Sequence, residues 1–172
     1  MANFAEHIEK LIEKEGGYKL IDVEHDRGGM TYAGISRNNN PGWEGWKLLD
    51  RGQTPSPSTV HAFYKPRYWD VMRLDDIEGY SRADVLFSSC VLSGPRTATR
   101  LAQAAADATV DGSFGPNTVK AVNAVEEELF VLRFSMARIA RFSKIVAKNR
   151  SQGKFLRGWI NRVLHEAAEA GA

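Results

Sequence analysis

From Thr59 to the C-terminus, apolar residues recur at helical spacing, and the pattern is cut only by proline, glycine and small polar residues. Pro66, Gly94-Pro95, Gly115-Pro116 and Ser151-Gln152-Gly153 are the cuts. Two thirds of the chain therefore reads as helices packed on one another, and the fold class is mainly α. At 172 residues the chain is long enough for one domain with a core of its own. We read residues 1–172 as a single domain with an N-terminal lobe over 1–75 and a helical C-terminal lobe over 76–172.

The N-terminal third is more varied. Asn3 is a good N-cap, Glu6 stands three residues later, and Phe4, Ile8, Leu11 and Ile12 follow on one helical face. Gly16-Gly17 stops that helix, which spans roughly Phe4 to Glu15. Its apolar stripe, continued one step, arrives at a carboxylate, Glu15. Residues 18–36 are turn-rich, and Thr31-Tyr32-Ala33-Gly34-Ile35 reads as a short strand. Further on, Ser58 to Tyr64 reads as a helix that Pro66 breaks or kinks. Ser81 with Asp84 reads as the cap of a buried helix, and Pro116 as the start of another. A long helical pattern then runs to about Lys148, with a break expected near Glu126, and a last helix carries Trp159 and Val163.

Several functional classes are poorly served by this sequence. One cysteine, Cys90, cannot form an internal disulfide, and its apolar neighbours make it a buried hydrophobe. His7, His25, His61 and His165 lack metal-ligand spacing, so neither a metal nor a cofactor is expected. No phosphate-binding glycine loop and no nucleophile elbow is present. No run is long and apolar enough to span a bilayer, and the N-terminus does not read as a signal peptide. Synthesis in the cytoplasm is the expectation, and a substrate outside the cell would require release or export of the protein.

Net charge is only +2, but it is unevenly spread. From Leu129 to His165 there is no Asp or Glu, while nine Lys and Arg fall in the same stretch. Arg133, Arg141, Lys144 and Lys148 share one helical face. That face is either solvated or attracted to an anionic polymer, be it cell wall, lipopolysaccharide or nucleic acid. Nucleic acid is not an expected partner, and a monomer is expected.

The chemistry centres on Glu15. Glycoside hydrolysis usually needs a carboxylic acid that remains protonated near neutral pH. A free Glu titrates near ~4.3, so its surroundings must disfavour the charged form. The end of an apolar helix face, beside the negative end of the helix dipole, is such a place. A second group must handle water or the developing positive charge, and Asp22, Glu24 and Asp26 lie within reach in sequence. Asp26 is preferred because Gly28-Gly29 then turns the chain toward Thr31, which could hold a water. Tyr18 and Tyr32 flank these residues and, with Trp69, are the sugar-contact candidates. The alternative for Glu15 is an ordinary helix-end glutamate.

Five blocks carry a resemblance. They are Glu15-Gly16-Gly17-Tyr18; Asp26-Arg27-Gly28-Gly29-Met30-Thr31-Tyr32-Ala33-Gly34-Ile35-Ser36; Tyr64-Lys65-Pro66-Arg67-Tyr68-Trp69; Val110-Asp111-Gly112-Ser113-Phe114-Gly115-Pro116-Asn117-Thr118; and Gly158-Trp159-Ile160-Asn161-Arg162. Together they resemble glycoside hydrolase family 108, the phage and bacterial N-acetylmuramidases. The resemblance implies a lysozyme-like fold and a substrate cleft between the two lobes. It makes Glu15 the catalytic acid and peptidoglycan glycan strands the partner. Glu15, Asp26 and Thr31 also resemble the Glu/Asp/Thr triad of phage-type lysozymes, at a different spacing. The block from Val110 to Thr118 resembles a peptidoglycan-binding segment, and it equally serves as a turn and helix start.

The chain departs from the family pattern at Tyr32, where an Asn is usual. It departs again at Ser88 and Leu92, where an Asp and an Asn are usual. Those departures keep a wall-binding protein without catalysis open beside the hydrolase, as they do a lytic transglycosylase.

Overall fold

The structure is a computed structural model, and it describes residues 2–22 and 29–171. Among these are eight α-helices and one small sheet, a mainly α, lysozyme-like fold. The chain forms two compact units, Asn3–Trp69 in the first and Asp70 onward, joined by Ala2, in the second.

In the first unit, α1 spans Phe4–Lys14, with the Asn3 side chain accepting from the Ala5 N–H as N-cap. His7, Ile8, Leu11 and Ile12 form its buried face. Strands β1 (Leu20–Ile21), β2 (Thr31–Tyr32) and β3 (Ile35–Ser36) make an antiparallel sheet in that order. The expected single strand from Thr31 to Ile35 is therefore a hairpin. Thr31 pairs with Ser36 and Tyr32 with Ile35, leaving Ala33-Gly34 as a two-residue turn. Both turn residues have positive φ, 47° and 77°, the geometry that matches the twist of paired strands.

Helix α2 (Glu44–Asp50) and helix α3 (Pro57–Tyr64) complete the unit. Ser56 caps α3 by accepting from the Thr59 N–H. The α-helix ends at Tyr64, in keeping with the break or kink expected from Pro66, and Lys65–Trp69 follows as a π-helical turn. An aromatic cluster fills the centre, with Trp43 at 5.3 Å from Trp46, 6.0 Å from Tyr32 and 6.2 Å from Phe63.

The second unit packs α4 (Tyr80–Ser93), α5 (Pro95–Ala105), α6 (Pro116–Ala124), α7 (Glu127–Lys148) and α8 (Gly153–Glu169). Its core includes Leu86, Phe87, Cys90, Ala98, Ala102, Phe130, Phe134 and Val163. Ser81 and Asp84 do not cap α4. The helix begins two residues earlier, at Tyr80 behind Gly79, and the Arg82 N–H is met by the Glu127 carboxylate. The break near Glu126 is real: its carboxylate accepts from the N–H groups of Glu128 and Leu129 and so starts α7. Among the described residues, no helix is long and apolar enough to cross a membrane.

Candidate active site

Glu15 is the C-cap of α1, the first residue past its regular turns. Its N–H is bonded to the carbonyls of Leu11 and Ile12, at 3.0 and 3.1 Å, so the backbone that carries the carboxylate is fixed. The side chain is half-buried. It leans on the β2–β3 turn, where a Cβ placed on Gly34 would stand 3.2 Å from Glu15 Cβ and 3.3 Å from its Cγ.

Tyr64, at the end of α3, closes the same corner. Its hydroxyl donates to the Ala33 carbonyl at 2.9 Å and would lie 2.7 Å from a Cβ on Gly34. Burial pushes the Tyr64 phenol up, and the negative charge of Glu15 and the neighbouring Tyr68 add to it. Tyr64 thus stays a neutral hydroxyl within the electrostatic reach of Glu15. Helix end, hairpin turn and α3 converge on one carboxylate, all within the first unit.

The other sequence candidates fall in different places. Thr31 is half-buried on β2, and its hydroxyl is 3.4 Å from the Gly29 carbonyl. Asp26 lies outside the described residues. Tyr18 is half-buried, and its hydroxyl is committed: it donates to Glu9 at 2.8 Å and stands 3.1 Å from His61 Nε2. Burial, then the hydrogen bond to Glu9, raises the Tyr18 phenol and keeps it neutral.

Tyr32 and Trp69 do not serve as sugar contacts in this structure. Tyr32 is 2% exposed, and its hydroxyl donates to the Pro55 carbonyl at 3.1 Å. Trp69 is 0% exposed, and packs 5.4 Å from Phe4 and 5.2 Å from His7. Large aromatic surface is more stabilising inside than at a rim, and the chain uses both rings as core.

Sequence reasoning missed Gly34 and Tyr64. The signal for Gly34 was present, since a glycine inside a short strand pattern often marks a turn or a close approach. Tyr64 opens one of the family-like blocks, but its spacing marks it only as a packing residue at the end of an apolar helix face.

The block from Val110 to Thr118 spends much of its polar chemistry on itself. The buried Gln103 donates through Nε2 to Asp111 at 2.7 Å and accepts through Oε1 from the Gly112 N–H at 2.9 Å. The same amide nitrogen lies 3.1 Å from Thr118 Oγ1 and from the Ser113 carbonyl. This is the turn-and-helix-start role.

The basic stretch likewise divides. Arg138 is buried against Glu166, Arg133 pairs with Asp107 at 3.0 Å, and Lys144 and Lys148 are exposed. Of the face named from spacing, Arg133, Lys144 and Lys148 are exposed and Arg141 is half-buried; the buried Arg138 lies off it.

Residues 8–94 match the model of the family described as Glycosyl hydrolase 108. The chain belongs to glycoside hydrolase family 108. Residues 94–164 match a second model, described as "Predicted Peptidoglycan domain". A family 108 segment is thus followed directly by a peptidoglycan segment, which makes the protein a peptidoglycan hydrolase or binder. Among solved structures, the chain is similar to Brucella abortus SagA, at 22% identity over 97% of this chain and 92% of that one. The TM-score is 0.72, a likeness of fold. Comparison with curated protein sequences gave no match. Glu15, Gly34 and Tyr64 all lie inside the family 108 segment.

Proposed function

We propose that the protein is an N-acetylmuramidase, hydrolysing the β-1,4 bond between N-acetylmuramic acid and N-acetylglucosamine in peptidoglycan. The observation that carries this reading is the seat of Glu15: a half-exposed carboxylate on a fixed backbone at a helix end, pressed against a bare glycine turn, inside the family 108 segment. Glu15 protonates the glycosidic oxygen as the bond to the leaving sugar breaks. A general acid of this kind contributes on the order of 10²–10⁴ in rate. Asp26, with Thr31, stabilises the positive charge that develops on the ring or positions the attacking water. Gly16 and Gly17 leave the chain beside Glu15 without side chains, which gives a sugar close access.

The test is product analysis on purified peptidoglycan, with wild type beside Glu15→Gln. New reducing-end muramic acid from wild type and none from the variant is the expected result. Anhydro-muramic ends would make the protein a lytic transglycosylase instead. Wall binding with no products at all would leave a binding protein and end the muramidase reading.

A further inference from the structure

The second unit holds a cleft of about 610 Å³, bounded by α4, α5, α7 and α8. That size lies within the range of small-ligand sites, roughly 300–1,000 Å³. Its wall is of two kinds. Leu92, Leu101, Ile145 and the rings of Phe142 and Trp159 supply apolar surface, with the two rings 5.1 Å apart. Arg138, Arg141 and Arg162 also line it, and among the described residues no Asp or Glu does.

The charge balance behind that wall is specific. Glu166 is 2% exposed and meets Arg138 directly, Arg162 at 3.4 Å and the Ser88 hydroxyl at 2.6 Å. One buried carboxylate is therefore shared by two arginines and satisfied on its remaining oxygen positions by a hydroxyl. Arg141, on the same wall, adds a guanidinium beyond the two that meet Glu166. A guanidinium beside low-dielectric aromatic walls favours a planar carboxylate, which it can grip with two parallel N–H bonds.

We propose that this cleft binds the peptide stem of peptidoglycan through its free carboxylates. The proposal rests on peptidoglycan as the polymer, and it concerns a part of that polymer distinct from the bond Glu15 would cut. The glycan backbone is neutral once its lactyl groups are amide-linked, so it offers nothing for three arginines. The stem carries free carboxylates and alanine methyl groups, which match the arginines and the apolar wall respectively. Nine of the lining residues, Leu101 through Arg162, belong to the segment that matches the peptidoglycan model.

The experiment is isothermal titration of the full-length protein with three probes. They are the synthetic stem pentapeptide L-Ala-γ-D-Glu-L-Lys-D-Ala-D-Ala, the same peptide with its carboxyl groups amidated, and chitotetraose. Neither peptide has a glycosidic bond, so Glu15 chemistry does not enter. The free acid should bind at least tenfold more tightly than the amide. Arg141→Gln should lower affinity for the free acid at least tenfold. Leu92→Trp, at a side chain already 47% exposed, should block the cleft by volume and leave the fold alone. Equal binding of acid and amide, no binding of either, or two well-folded variants with wild-type affinity would each overturn the proposal. Failure here would leave release of reducing ends untouched. A protein that bound the stem and released no reducing ends would fail only as a muramidase.

Discussion

Gly34 lies against Glu15 so closely that a single added methyl group would stand 3.2 Å from Glu15 Cβ. The same methyl would meet the Tyr64 hydroxyl at 2.7 Å, and it would sit at a φ of +77° that L side chains rarely adopt. Gly34→Ala should therefore destabilise by about 1–3 kcal/mol, from backbone strain plus crowding. Gly52→Ala is the control, since Gly52 has a φ of +72° with nothing within 4 Å of the added carbon. Both variants should lose melting temperature. Only Gly34→Ala should also lose hydrolytic rate in the protein that remains folded, because only there does the methyl push on the proposed acid. Equal activity in the two variants would separate the turn from the site.

Tyr64→Phe tests the other side of that corner. The phenylalanine keeps the ring in the core and removes the donor to the buried end of the hairpin, leaving the Ala33 carbonyl without this bond. The expected cost is about 1–2 kcal/mol, which for a chain of this size is roughly 2–8 °C in melting temperature. Thermal unfolding followed by circular dichroism reads it directly.

In the second unit, Arg138 and Glu166 face each other at 3% and 2% exposure. Glu166→Gln should cost roughly 3–5 kcal/mol, since it leaves a buried guanidinium without its counter-charge. Arg138→Met combined with Glu166→Leu should recover much of that loss, because neither charge then needs compensation. Denaturant unfolding of the single and double variants measures the difference, and additive losses would argue against a buried pair.

Acid should loosen the loop before α6. The Asp111 carboxylate accepts from the Ser113 N–H at 2.8 Å and from Gln103 at 2.7 Å, and those bonds hold it below the usual carboxylate range. A group depressed in the folded state is stabilising above its unfolded value, near ~3.9. That contribution disappears as pH falls through the lower folded value. Asp111→Asn should therefore be less stable than wild type at neutral pH, and the gap should narrow below about pH 4. Melting temperatures measured from pH 7 down to 3 give the comparison.

Cys90 should be inert in the native protein. It is fully buried, and burial pushes its thiol up to about 12, so almost no thiolate exists at neutral pH. Iodoacetamide should label it only as fast as the second unit opens, and labelling should become rapid in denaturant. Fast labelling under native conditions would contradict the packing around α4.

The elements legible in advance were those fixed by neighbours in the chain. The cap at Asn3, the apolar face of α1, the stop at Gly16-Gly17 and the break at Glu126 depend on residues three or four apart, and each was readable from spacing. Misreadings arose where a distant segment decides the outcome. Ser81 and Asp84 look like a helix cap, yet α4 receives its N-terminal acceptor from Glu127, on another helix. Pro66 ends the α-helix at Tyr64 as its spacing suggests, but the π-helical turn that follows shows only in the fold, with Trp69 locked against Phe4 and His7. Thr31 to Ile35 has a strand's composition, and its folding back shows only in the pairing of Tyr32 with Ile35.

The sequence alone determined the helical class of the fold, because periodicity is a local fact; it offered Glu15 as a candidate, a carboxylate ending an apolar stripe inside a family-like block. Tertiary structure decided which side chains meet that carboxylate. It also decided that Tyr32 and Trp69 are core and not rim. It gathered Arg138 and Arg162 from two helices around a single buried acid and set Arg141 on the wall of the same cleft. Contacts of this kind join residues far apart in the chain, and no local pattern records them, since only folding brings such residues within a bond's length of one another.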